Sequence, residues 1–141
     1  MSTTMANEDH LNLDEIPFLK LLAVRALEVS EGHAVLELDQ QPHHQNSLAM
    51  AHGGVVMTML DVAMARAARS MVRADEASTL ITIEMKTSFM LPAHDRLRAV
   101  GRVIHRTSSM AFCEADLLDG GGRLVSRASG TFKYVKRKTQ S

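Results

Sequence analysis

The sequence predicts an α+β fold, an antiparallel sheet carrying one long central helix. Three observations lead there. HGGVVMTMLDVAMARAA, His52 to Ala68, reads as a single helix that is apolar on almost every side. Two alternating apolar–polar runs precede it and meet at Glu31-Gly32. Further alternating runs follow it, and alternation at period two marks strands, five to six in all. The 141 residues fit one domain with room for a core, and no repeat or linker interrupts them.

The elements follow in order. Residues 1–13 read as a loose tail. PFLKLLA, Pro17 to Ala23, predicts a short helix with Asp14 or Glu15 near its start and Pro17 in its first turn. VRALEVSEGHAVLELD predicts a hairpin in which Ala34, Leu36 and Leu38 face one way and His33, Val35, Glu37 and Asp39 the other. Gln40 to Ala51 is a polar loop. The long helix spans about Gly53 to Val72 and exits through ADEAS. Beyond it, TLITIEMKTSFMLP sets Ile81, Ile83, Met85, Thr87 and Phe89 against Thr82, Glu84, Lys86 and Ser88. Arg96 to His105 puts Leu97, Ala99, Gly101 and Val103 on one face. Met110 to Leu118 comes next, then a glycine turn at 120–122. A strand from Arg123 to Val135 carries Arg123, Arg127 and Lys133 outward, and residues 136–141 form a basic end.

Composition narrows the function classes. Acids and bases balance at 16 each, but residues 1–40 carry eight acids and two bases, so the remainder is net positive by six. That half either attracts an anionic ligand or forms a solvated strand face. With one Tyr, no Trp and no groove of Lys and Arg, nucleic-acid binding is not expected. The longest apolar run is too short and too polar to span a bilayer, and MSTTMANEDH carries no apolar leader. A lone cysteine, Cys113, suits a cytoplasmic setting and is assigned to the core. Seven histidines include no H-x-x-x-H or H-E-x-x-H spacing, so no metal is expected and His43-His44 read as loop residues. Met57, Met59, Met64, Met85 and Met90 either fill the core or line an adaptable pocket.

A helix apolar on every side must be covered on every side, by a wrapping sheet or by a second subunit. Asp61 sits in the middle of it. Its helical neighbours are Met57, Thr58, Met64 and Ala65, none of them basic, and Arg66 is five residues away and off that face. A carboxyl in a dry place has its pKa pushed up, as in a tuned base or nucleophile. At the helix start, Gly53 and Gly54 allow close approach to N–H groups that can bind a developing oxyanion. Gly53 and Asp61 lie eight residues apart, roughly 12 Å along the axis, too far for one carbonyl to touch both. Two helices packed antiparallel about a two-fold would bring each Asp61 to the other's Gly53.

Asn46, then His52-Gly53-Gly54 six residues later, Asp61 nine after that histidine, and TIEMKTSFMLPA at 82–93 resemble the hotdog-fold acyl-CoA thioesterases. Within that family the motifs most resemble the phenylacetic-acid-degradation type, which includes the acyl-CoA thioesterase 13 kind. The likeness runs from about Phe18 to Tyr134. It implies a curved sheet around a central helix, homodimers with joined sheets paired again into tetramers, an acyl-CoA substrate, and no metal or redox cofactor. It also implies roles. Gly53 N–H and the Asn46 amide would polarise the thioester carbonyl. Asp61 of the neighbouring subunit would activate water or attack directly, Thr82 would orient the water or the carboxylate, and His52 would sit beside the thioester. Gly54, Arg106, Arg123, Arg127 and the tail from Lys136 are candidate coenzyme A contacts. The rival readings rank behind it: a hotdog hydratase or dehydratase, whose longer H-F-P-G-H-type loop is missing, and a non-catalytic acyl-CoA-binding regulator, which would need a further module.

Overall fold

The structure is a computed structural model that describes residues 13, 15–73 and 78–136. Among these lie a short helix α1 (Pro17–Leu22), strands β1 (Arg25–Ser30) and β2 (His33–Asp39), a 3-10 turn (Pro42–His44), and the long helix α2 (Gly53–Arg69). Strands β3 (Ser78–Phe89), β4 (Arg96–Arg106), β5 (Met110–Leu118) and β6 (Leu124–Lys136) complete the chain. The strands form one antiparallel sheet in the order β1-β2-β4-β5-β6-β3. The α+β expectation holds, element for element.

Local chemistry explains the boundaries. Pro17 occupies the first turn of α1, where its missing N–H costs nothing. Its N-cap is Ile16, without a side-chain hydrogen bond, and Glu15 stands one residue before it. The β1–β2 turn places Glu31 at φ +49° and Gly32 at φ +82°, the double positive φ that fits the twist of a two-residue hairpin. α2 ends at Arg69, three residues before the expected Val72. Of the expected exit at 74–78, residues 74–77 lie outside the described residues, as do most of both chain ends, and Ser78 opens β3. Leu13, expected in a loose tail, is 3% exposed and packs into the core.

α2 lies on the sheet mainly across β4, β5 and β2. Its buried stripe is Val55, Val56, Met59, Leu60, Ala63, Met64, Ala67 and Ala68, pairs recurring every four residues. Opposite them from the sheet stand Leu36, Leu38, Leu97, Ala99, Ala115, Leu117 and Phe132. The tightest approach is at Gly101 on β4. A Cβ there would run into the Ala63 carbonyl and stand 2.9 Å from the Met64 nitrogen. One chain does not bury α2 all round. Met57, Thr58, Asp61, Val62 and Ala65 form a partly buried face that the sheet covers only along one side, through β3.

β3 corrects the expected alternation. A bulge between Thr82 and Glu84 adds one residue against β6, and one added residue swaps the faces. Met85 packs toward the core, whereas Ile81 and Ile83 are 47% and 51% exposed. Thr82 thereby shares the helix side of the sheet. β3 is also an edge, paired with β6 alone.

The outer sheet face is charged and mostly paired. Glu37, nearly buried, accepts from Arg25 at 2.7 Å and from Arg98 at 2.8 Å. The Arg98 hydrogen bond, helped by Arg25 and Arg96, holds its carboxyl below the usual range despite burial. No helix among the described residues is long and apolar enough to cross a membrane.

Candidate active site

Asn46 follows the 3-10 turn in a loop it organises itself. Its side-chain oxygen accepts from the N–H of Leu48 at 2.9 Å and of Met50 at 3.4 Å, while its backbone N–H donates to the Met50 carbonyl at 2.8 Å. With Oδ1 turned into the loop, the amide NH2 meets no acceptor among the described residues. Asn46, Gly53, Val56 and Phe89 line a cleft of about 460 Å3 closed by Met90 to Ala93.

His52 is the N-cap of α2, and its Nδ1 accepts from the Gly54 N–H at 2.9 Å. That bond requires an unprotonated Nδ1 and leaves Nε2–H as a donor in the neutral ring. The Gly54 N–H is therefore taken. The Gly53 N–H, one residue earlier, meets no acceptor among the described residues. Gly53 lines the Asn46 cleft, and a Cβ on it would stand 3.6 Å from the Phe89 ring. His52 itself is exposed and does not line that cleft.

Asp61 lies on the partly covered face of α2, in a different cleft of about 360 Å3. Phe18 and Leu19 of α1 and Leu80 of β3 supply its apolar walls, with Val62 and Ala65 of α2 as its floor. Thr82 Oγ1 donates to Asp61 Oδ1 at 2.8 Å across the gap between sheet and helix. Thr58 does not compete, because its hydroxyl donates to the Gly54 carbonyl at 2.7 Å. Burial pushes the Asp61 carboxyl above its usual pKa, and the Thr82 hydrogen bond only partly offsets this. The expected residues thus fall into two groups: Asn46 and Gly53 in one cleft, Asp61 with Thr82 at the other.

Arg66 and Arg69 also line the Asp61 cleft. Counted by Cβ position, five residues from Asp61, Arg66 falls off that face. A long guanidinium stem covers more surface than its Cβ suggests. The signal for Arg69 was available, since positions 61, 65 and 69 follow one another at four-residue spacing.

The three candidate coenzyme A arginines all have partners within the chain. Arg106 donates to the Met71 carbonyl at 2.7 Å and lies over the Tyr134 ring at 4.8 Å. Arg123 pairs with Asp119 at 2.9 Å, and Arg127 with Asp116 at 2.7 Å. None of the three lines either cleft. Lys136 ends β6, and the rest of the basic tail lies outside the described residues.

His44 departs from its reading as a loop histidine. It is fully buried, accepts from the Gln41 N–H at 2.9 Å and bonds the Leu22 carbonyl at 2.8 Å. Burial lowers its pKa. It ties the Asn46 loop to α1. Cys113 is buried as expected, its thiol pushed up to about 12. Met59 and Met64 are core, whereas Met90 lines the Asn46 cleft. No cluster of metal-ligating side chains occurs among the described residues.

Against known proteins, the profile of the thioesterase superfamily matches residues 48–126, the span that holds α2, β3, β4 and β5. The chain belongs to the thioesterase superfamily. Its sheet around one long helix is the superfamily's hotdog fold. A candidate esterase of Saccharolobus solfataricus is 25% identical over 123 residues, 86% of each chain. A conserved protein of Pseudomonas aeruginosa has a solved structure matching with a TM-score of 0.81 at 25% identity, over 90% of this chain and 98% of that one. The Escherichia coli PaaI protein of the phenylacetic acid degradation operon matches with a TM-score of 0.80 over 90% of both chains. At 18% identity that likeness speaks to the fold alone. Membership supports a hydrolase acting on thioesters.

Proposed function

We propose that this thioesterase-superfamily protein hydrolyses acyl-CoA thioesters to a free acid and coenzyme A, at composite sites shared by two copies of the chain. One observation carries the reading: the acid, held by its hydroxyl partner, lines one cleft, and the two residues with unoccupied N–H donors line another cleft of the same chain. A single thioester carbonyl cannot reach both across roughly 12 Å of helix. Two copies of α2, antiparallel about a two-fold, bring Asp61 of each to Gly53 of the other. The partly covered face of α2 and the long β3 edge, with Ile81 and Ile83 exposed, favour such pairing.

In this site the Gly53 N–H and the Asn46 amide donate to the carbonyl oxygen as it gains charge. The partner's Asp61 acts as base or as nucleophile. As base, it takes a proton from water, water adds to the carbonyl, and the C–S bond breaks. The proton then passes to the departing thiolate. As nucleophile, it adds to the carbonyl and the C–S bond breaks, which expels the thiolate and leaves an anhydride; water then opens the anhydride, frees the acid and supplies the proton for the thiolate. Thr82 fixes one oxygen of the carboxylate and leaves the other for the reaction. His52 offers Nε2–H beside the carbonyl. Gly54 contributes close approach rather than a donor. Arg106, Arg123 and Arg127 contact coenzyme A through guanidinium N–H groups left over from their present partners. The phenylacetic-acid-degradation branch, and the pairing of dimers into a tetramer, enter through the motif resemblance.

The test is thiol release from a panel of acyl-CoA thioesters. The wild type hydrolyses at least one of them, and Asp61→Asn lowers kcat by about 10²–10⁴-fold with assembly unchanged. Equal activity in the two proteins would remove Asp61 from the reaction.

A further inference from the structure

The Asp61 cleft contains more than the acid requires. Arg66 and Arg69 line it, and neither has a carboxylate within ion-pair distance among the described residues. Elsewhere Arg25, Arg96, Arg98, Arg102, Arg123 and Arg127 each pair with one. Arg69 Nη1 is fully buried and has no hydrogen-bond partner. A buried guanidinium N–H without an acceptor is costly, and two guanidiniums sharing one cleft add repulsion. Burial and the nearby Arg69 lower the pKa of Arg66, with Glu15 opposing only weakly. An incoming anion would relieve both costs.

Position identifies which anion. Arg66 and Arg69 follow Asp61 by five and eight residues on α2, so the arginines start roughly 7 and 12 Å along the helix from the reacting carboxylate. Between them Val62 and Ala65 floor the cleft, with Phe18 and Leu80 as walls. An apolar channel with an acid at one end and two cations at the other fits an acyl chain with its own acidic end. At about 360 Å3 it has the size of a small-ligand site.

We propose that the preferred substrate is the mono-thioester of a dicarboxylic acid, whose free carboxylate is bound by Arg66 and Arg69 at the far end of the Asp61 cleft. The inference rests on the thioesterase reading and adds the substrate class to it. Arg suits the task because its planar fork meets a carboxylate with two parallel hydrogen bonds. The same chemistry would also serve a phosphate of coenzyme A. The apolar stretch between acid and arginines favours the acyl carboxylate, and the experiment separates the two.

The experiment compares adipoyl-CoA with hexanoyl-CoA, and the same acyl groups on N-acetylcysteamine, which has no phosphates. Hydrolysis by the wild type is followed by thiol release, and binding of the CoA esters to Asp61→Asn by calorimetry. The expected result is a preference for the adipoyl ester of roughly 10- to 100-fold in kcat/KM on both carriers. In Arg66→Gln/Arg69→Gln the ratio falls toward one. In Arg66→Lys/Arg69→Lys, which keeps the charges but loses the fork, an intermediate ratio remains. Equal use of adipoyl and hexanoyl esters by the wild type would overturn the proposal and leave the thioesterase reading intact. So would a defect of the glutamine variant confined to CoA esters of both acyl groups, which assigns the arginines to a phosphate. If no thioester is hydrolysed, the thioesterase reading fails. The binding comparison then decides this proposal alone: tighter arginine-dependent binding of the adipoyl ester upholds it, and equal binding overturns it.

Discussion

Asp61 owes its raised pKa to burial, with the Thr82 hydroxyl pulling the other way. Two consequences follow for pH. The ionised carboxylate is the form that reacts, so activity falls on the acid side with an inflection above the ordinary 3.8. Thr82→Val removes the hydrogen bond that favours the charge, so the acid limb of kcat/KM moves to higher pH; a shift to lower pH would contradict this role. For stability the sign is opposite to that of a paired acid. A folded-state pKa above the unfolded one adds stability only at low pH, and the gain is lost as pH rises through the folded value. At neutral pH the charge is a cost, so Asp61→Asn raises Tm while abolishing turnover, read by a thermal melt beside the activity assay. Asp61 was legible in the sequence because its helical neighbours are apolar. Arg66 was misread because spacing locates a Cβ and not a guanidinium. His44 was misread because its polar neighbours resemble any surface loop, while the 3-10 turn rotates that one ring inward.

Elements position those residues, and the closest contact between elements is Gly101 on β4 beneath Ala63 of α2. The obstacle to a side chain there is backbone and cannot swing aside. Gly101→Ala should therefore cost about 3 kcal/mol, at the upper end for overpacking, measured by denaturant unfolding. A change under about 0.5 kcal/mol would mean that α2 does not press on β4 as described. The Asn46 loop depends on His44, whose folded pKa is depressed by burial. Its contribution to stability is present above the unfolded value of 6.5 and is lost as pH falls through the folded one. Tm should decline as pH drops below about 6.5, less steeply in His44→Gln than in wild type, and parallel curves would contradict the assignment. The number and order of elements were readable from period and turn residues. The β3 bulge was not, because an inserted residue leaves no mark in an alternating run until its partner strand is known.

At the scale of the whole molecule, the apolar helix posed a choice between a wrapping sheet and a second subunit. The sheet covers one stripe of α2 and leaves the Asp61 face half exposed, with the β3 edge free along its length. Those two surfaces argue for a second copy, as the eight-residue separation of Gly53 and Asp61 does independently. The composite site is tested most directly by mixing two inactive variants. Asp61→Asn lacks the acid. Asn46→Asp keeps the oxygen that orders its loop but loses the amide donor. After denaturation and joint refolding, half of the dimers carry one chain of each kind. In such a dimer one site combines the intact Asn46 of one chain with the intact Asp61 of its partner. The shared site predicts recovery of about one quarter of wild-type activity in the mixture, from two proteins that are each inactive alone. A mixture as inactive as its components would contradict it and return acid and donors to a single chain.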